Sequence, residues 1–234
     1  MTSPSTSAEM TTSPASFADR ALEDYVRGQL TQLRARIGAA GRSASSVTIV
    51  AVTKGFGPEH ATAALRAGLS ELGENYAQEL SEKSALVDAG AHWHFIGALQ
   101  TNKVPLICRV ASVIESVARD VEVDAIARQP RRPAIYVQVD YTGEAQRHGA
   151  HHDDVAALVS RARAHGLDVR GLMTVAPPAP ERARDAFGRL GELADDLGLL
   201  VRSMGMSDDL ELALAAGSTE IRVGRALFGP RPER

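Results

Sequence analysis

Cysteine is almost absent from this chain. Cys108 stands alone in 234 residues, so no disulfide can form within the molecule, a usage that fits a reducing cytoplasm. A large surplus of charge of one sign is missing as well. A formal net charge of −3 gives no electrostatic reason to expect a nucleic acid or an anionic membrane as partner. No apolar run approaches the length of a membrane span. The first residues, MTSPSTSAEMTTSPAS, lack the basic start and apolar stretch of a secretory signal. Their Ser, Thr and Pro content reads as a disordered leader over residues 1–16. Several catalytic signatures are missing too. No G-x-S-x-G, H-E-x-x-H or G-x-x-x-x-G-K-[ST] pattern occurs.

What is present is an alternation. Hydrophobic residues at 44% supply a substantial core. Leu22, Tyr25, Val26, Leu30, Leu33 and Ile37 recur at three- and four-residue spacing and predict one long helix over Phe17 to Ala40. Eight short apolar, β-branched runs follow: VTIVAVT, SELGE, WHFIG, ASVIES, AIYVQVD, VRGLMTV, LLVRSMG and EIRVG. Helical patterns fill the intervals at 59–67, 78–88, 102–108, 120–128, 153–165, 180–197 and 208–216. Eight strands alternating with helices predict a parallel sheet, and several strands are apolar on both faces, as burial on both sides requires. Eight units in this length favour a single (β/α)8 TIM-like barrel over residues 17–234, with an extra N-terminal helix. An open doubly wound sheet is the alternative. Its dinucleotide-binding version would carry G-x-G-x-x-G after the first strand, where this chain has KGFGPEH.

In such a barrel the strand C-termini form the active face. Lys54 ends the first strand and should point into the mouth. Taken alone, it reads better as a surface lysine at a strand end; the features that follow tip the balance. The loops after strands seven and eight read SMGMS and RVGRALFG. Ser207 is placed to cap the helix after strand seven. Gly224 permits close approach to the backbone, with a short helix starting at once. These two loops are the usual barrel site for a phosphate. Asn75, in LGENYAQEL, can reach the mouth or cap the next helix. His92 and His94 share one strand face; with no third ligand signalled nearby, a structural role is expected rather than a metal. His151 and His152 read as a solvated helix start. Cys108, in VPLICRV, reads as a packing residue.

The stretches TKG, GENYAQE, HWHFIGALQTNK, GLMTV and SMGMSDDLELALAAGSTEIRVGRALFG resemble the pyridoxal phosphate homeostasis protein family, single-domain relatives of the barrel half of alanine racemase. The resemblance runs from about Leu22 to Arg231. It implies pyridoxal 5'-phosphate as cofactor, held as a Schiff base (aldimine) on Lys54, with Asn75 beside it. It further implies that Arg222 faces the pyridine nitrogen, and that Ser203, Ser207, Gly224 and the backbone amide of Arg225 bind phosphate. Three departures stand out. Arg225 replaces a small hydroxyl residue. Glu115 replaces a histidine in the stretch after strand four. Gly55 and Gly57 are expected to loosen the turn after Lys54.

The family resemblance implies a role in vitamin B6 homeostasis, with acceptor apoenzymes as partners, in the cytoplasm and without efficient catalysis. An arginine at the ring nitrogen disfavours its protonation and so weakens the electron sink. A complete barrel in one chain makes a monomer the expectation. Two other functions remain open at this point: a one-domain amino-acid racemase using pyridoxal phosphate, and an aldolase-like barrel enzyme in which Lys54 forms an imine with the substrate itself.

Overall fold

In the computed structural model, which describes residues 17–144 and 148–231, each predicted apolar run becomes a strand. These are β1 (Thr48–Val52), β2 (Glu71–Glu74), β3 (His92–Phe95), β4 (Val113–Val117), β5 (Ala134–Gln138), β6 (Val169–Met173), β7 (Val201–Ser203) and β8 (Glu220–Val223). All pair in parallel, in sequence order, and β1 closes on β8 with Thr48 opposite Glu220 and Ala51 opposite Val223. The barrel is therefore complete, and the open-sheet alternative is excluded. The expected leader, residues 1–16, lies outside the described residues.

The helices are α1 (Phe17–Ala39), α2 (Pro58–Arg66), α3 (Ala77–Ser84), α4 (Val104–Val110) and α5 (Asp120–Ala127), then α6 (Val155–Ala164), α7 (Pro180–Asp196), α8 (Leu210–Ala215) and α9 (Arg225–Phe228). The apolar stripe of α1 is buried at Val26, Leu30, Leu33 and Ile37. Arg36 on α1 clasps Glu211 on α8 at 2.8 and 3.0 Å, which ties the extra helix to the last quarter of the barrel. Among the described residues no helix is long and apolar enough to cross a membrane.

Strand residues alternate between two environments. Ile49, Leu72, Trp93, Ile114, Ile135 and Ile221 face outward and join the helices in one large apolar core. The barrel interior differs from the usual branched aliphatic filling. It holds a small apolar cluster of Val113, Ala134, Tyr136 and Met173, and around it the buried polar residues His94, Glu115, Ser203, Glu220 and Arg222. Two contacts prove that these cross the lumen, because the strands involved are not neighbours. Ser203 on β7 donates to Glu115 Oε2 on β4 at 2.6 Å, and Tyr136 on β5 donates to Glu220 Oε2 on β8 at 3.2 Å.

Candidate functional site

The end of β1 is anchored from beneath. Lys83 on α3 donates to the Thr53 carbonyl at 2.8 Å and to Glu74 Oε1 at 2.6 Å, and Thr53 Oγ1 donates to the same carboxylate oxygen at 2.6 Å. Burial pushes the Glu74 carboxyl up, against the pull of Lys83 and Thr53. Lys54 follows at once. The glycines after it do not loosen the turn. Gly55 adopts φ 76°, a left-handed conformation that glycine takes without strain, and its amide donates to Glu79 Oε2 at 3.1 Å. That bond holds the loop, so the expectation of a loosened turn is corrected.

A cavity of about 380 Å³ opens at the strand C-termini. Lys54, Asn75, Ser207, Arg222, Gly224 and Arg225 all line it. Burial lowers the Lys54 pKa, and the nearby charges of Arg231 and then Arg222 lower it further, opposed by Glu74. The neutral, nucleophilic amine is thereby favoured. Arg222 is 4% exposed. It donates to Ser203 Oγ at 2.6 Å and to the Thr174 carbonyl at 2.7 Å, which fixes the guanidinium at the cavity floor.

Asn75 lines the cavity, and its backbone packs so closely against Gly97 that no side chain fits there. The Asn75 Oδ1 atom is buried without a hydrogen-bond partner, an uncommon and costly state that a donor from a bound molecule would relieve. Gly224 caps α9, and a Cβ there would meet the Val52 carbonyl at 3.0 Å. The amides of Arg225 and Ala226 begin a helix and have no intrahelical acceptor. Phe56 and Phe228 pack with ring centroids 5.3 Å apart, joining this turn to the loop after Lys54.

Two expected roles are corrected. Ser207 does not cap the following helix. Three cap-forming residues stand in a row, and Asp209 takes the position, accepting from the Met206 amide at 2.6 Å. Ser207 is left lining the cavity, with its carbonyl held by Arg36 at 3.2 Å. Ser203 is fully buried and does not line the cavity; its hydroxyl is committed to Glu115 and Arg222 within the barrel. The Arg225 guanidinium pairs with Asp208, which leaves its backbone amide as the group offered to the site. Arg231, which no local motif signals, also lines the cavity, with its side chain against Gly55.

Below the cavity, Glu115 sits at the centre of a buried polar network. It accepts from Ser203 and lies 2.6 Å from His94 Nδ1, while His94 Nε2 lies 2.9 Å from Glu71 Oε2. Burial would push the His94 ring down, but the bonds to Glu115 and Glu71 outweigh it and hold the ring at about 10. His92 bonds the other Glu71 oxygen at 2.9 Å. His152 contacts the Tyr141 hydroxyl at 3.1 Å at the start of a 3-10 turn. Cys108 is buried, and burial pushes its thiol up to about 11, the state of a packing residue.

Residues 29–232 match the family model described as alanine racemase, N-terminal domain. A pyridoxal phosphate homeostasis protein of Deinococcus radiodurans is 44% identical, covering 85% of this chain and 97% of its own. One from Pseudomonas aeruginosa is 40% identical, covering 86% and 91%. The solved structure of PipY from Synechococcus elongatus, with pyridoxal phosphate bound, is 29% identical with a TM-score of 0.75, covering 87% of this chain and all (100%) of PipY. The Lys54 cavity thus lies in the part of the barrel that these relatives share, and the chain belongs to the pyridoxal phosphate homeostasis protein family, built on the alanine racemase N-terminal domain.

Proposed function

We propose that this chain binds pyridoxal 5'-phosphate in the Lys54 cavity and holds it in reserve for acceptor apoenzymes. The reading places it in the cytoplasm, as a monomer, without efficient catalysis of its own. One observation carries it: an amine with a lowered pKa, a buried guanidinium and a glycine-backed turn face one cavity.

The residues fit the cofactor. Asn75 Oδ1 needs a donor. The Gly224 turn, the Arg225 amide and Ser207 offer a cradle for phosphate. Arg222 stands at the floor, where it would meet the ring nitrogen and disfavour its protonation. Lys54 supplies the amine that condenses with the cofactor's aldehyde, releasing water. Bound pyridoxal phosphate supplies an electron sink for carbanions.

Restraint in catalysis is supported by the cavity lining. Besides Lys54, Asp208 is the one carboxylate among the described lining residues, which include no histidine, cysteine or tyrosine, and it is paired with Arg225. Proton transfer on the opposite side of a substrate carbon therefore has no evident agent.

Borohydride reduction of the loaded protein, followed by mass analysis of its peptides, tests the assignment. The reduced pyridoxyl group should fall on the peptide containing Lys54. Full-stoichiometry labelling of a Lys54→Ala variant, or labelling elsewhere in the wild type, would overturn it.

A further inference from the structure

The opposite end of the barrel carries a second constellation that the Lys54 cavity does not use. His94 on β3, Glu115 on β4 and Glu220 on β8 converge inside the lumen. Each presents a ring nitrogen or carboxylate oxygen within 4.8 Å of the others, the one such cluster among the described residues. All three are buried, at 2%, 0% and 3% exposure. Each is also oriented by a further partner. His94 Nε2 is held by Glu71 Oε2 at 2.9 Å, leaving Nδ1 toward the cluster. Glu115 Oε2 is held by Ser203 at 2.6 Å with Arg222 Nη1 3.7 Å away, and its Oε1 meets His94 Nδ1 at 2.6 Å inside the cluster. Glu220 Oε2 is held by Tyr136 at 3.2 Å. Glu220 Oε1 has no hydrogen bond of ordinary geometry, with the Ser203 hydroxyl near the carboxylate.

A buried carboxylate oxygen without a well-formed hydrogen bond is an anomaly that a protein interior normally removes. Here it sits beside a second carboxylate and an imidazole. A carboxylate that holds the far nitrogen of a histidine is the usual support of a metal-ligating imidazole. We infer that His94, Glu115 and Glu220 form a binding site for a divalent first-row transition ion inside the barrel.

The ligand set is one nitrogen and two oxygens without sulfur, which suits zinc, manganese or cobalt. Metal bonds of about 2.0–2.2 Å place neighbouring ligand atoms about 3–4 Å apart, so small side-chain rotations close the present cluster onto an ion. Binding replaces the proton shared between His94 Nδ1 and Glu115, which passes to solvent. Three protein ligands leave a position for water. Access comes from the strand N-termini, where a cavity of about 720 Å³ is lined by Glu71, His94, Tyr136 and Glu220. The arginines on its rim are engaged. Arg131 donates to the Cys108 carbonyl at 2.7 Å, Arg132 to the Gln129 carbonyl at 3.3 Å, and Arg170 to Asp168 at 2.6 Å. The site lies beneath the Lys54 cavity, joined to its floor by the Arg222–Glu115 ion pair at 3.7 Å, and its existence does not rest on the cofactor reading.

The test is calorimetric titration of chelator-treated full-length protein with zinc chloride, paired with the optical spectrum of the cobalt(II) form. One saturable zinc per chain is expected, with a cobalt spectrum of low coordination number. Glu220→Gln, nearly isosteric, should weaken zinc about tenfold or more. Glu71→Gln, which removes only the support of His94, should weaken it about 10- to 100-fold. Far-ultraviolet circular dichroism shows that each variant is folded. X-ray absorption at the zinc edge of the wild type should show nitrogen and oxygen ligands, and this holds even where a variant fails to fold. Absence of saturable binding, or unchanged affinity in folded Glu220→Gln, would show the cluster to be an ion-pair network alone and overturn the inference.

Discussion

Arg222 Nη1 and Ser203 Oγ lie 2.6 Å apart, deep in the barrel, and the same hydroxyl donates to Glu115 Oε2 at 2.6 Å. One serine thus joins the guanidinium at the cavity floor to the buried carboxylate below it. Ser203→Ala strips a partner from both charged groups without making a large cavity. Each buried polar group left unsatisfied costs about 1–3 kcal/mol. The variant should unfold at lower urea concentration than the wild type. An unchanged midpoint would show that neither bond matters to stability.

The turn at Gly224 is tight, since a Cβ there would meet the Val52 carbonyl at 3.0 Å. Gly224→Val should displace the turn and its amides. If that turn holds phosphate, the substitution weakens pyridoxal phosphate more than it weakens unphosphorylated pyridoxal. Binding titrations with both ligands decide the matter; equal losses would place the phosphate elsewhere.

Lys54 reacts as the neutral amine. Its pKa lies below the ordinary 10.5 first because it is buried and next because Arg231 is near. A lowered pKa leaves more neutral amine at any pH beneath it. The rate of pyridoxal phosphate uptake should therefore rise with pH and level off below 10.5. Removing the Arg231 charge raises the Lys54 pKa, so Arg231→Ala should shift that profile to higher pH and slow uptake at neutral pH. Stopped-flow absorbance over a pH series gives the profile, and an unshifted curve would show that Arg231 does not act on Lys54.

Racemisation needs acid–base groups on both sides of the substrate carbon, and a positioned group typically contributes about 100- to 10,000-fold. The cavity offers Lys54 and an Asp208 already paired with Arg225. The loaded protein should exchange the α-proton of alanine far more slowly than about 1 per second, the low end of ordinary enzyme turnover. A chiral assay in deuterated water measures this, and turnover at or above that rate would promote the racemase reading.

Sequence alone determined the elements whose signals are local. Apolar runs of strand length, separated by helical patterns, specified eight β/α units, and the position of Lys54 at a strand end placed it at the mouth. Gly224 was legible because a glycine between a strand and a short helix has few other uses. The contacts across the lumen were not legible. Alternation along one strand says which residues point inward, but which of them meet depends on closure and stagger of the whole barrel. His94, Glu115 and Glu220 come together only through that closure, and Ser203 meets Glu115 across β7 and β4 for the same reason. The cap of α8 shows the limit at short range. Ser207, Asp208 and Asp209 are all able to cap, and the contacts around them allot the roles. Arg36 on α1 takes the Ser207 carbonyl, Arg225 takes Asp208, and Asp209 is left to hold the turn. Local sequence pointed to Ser207 as the cap, and the packing of distant helices gave that position to Asp209 instead.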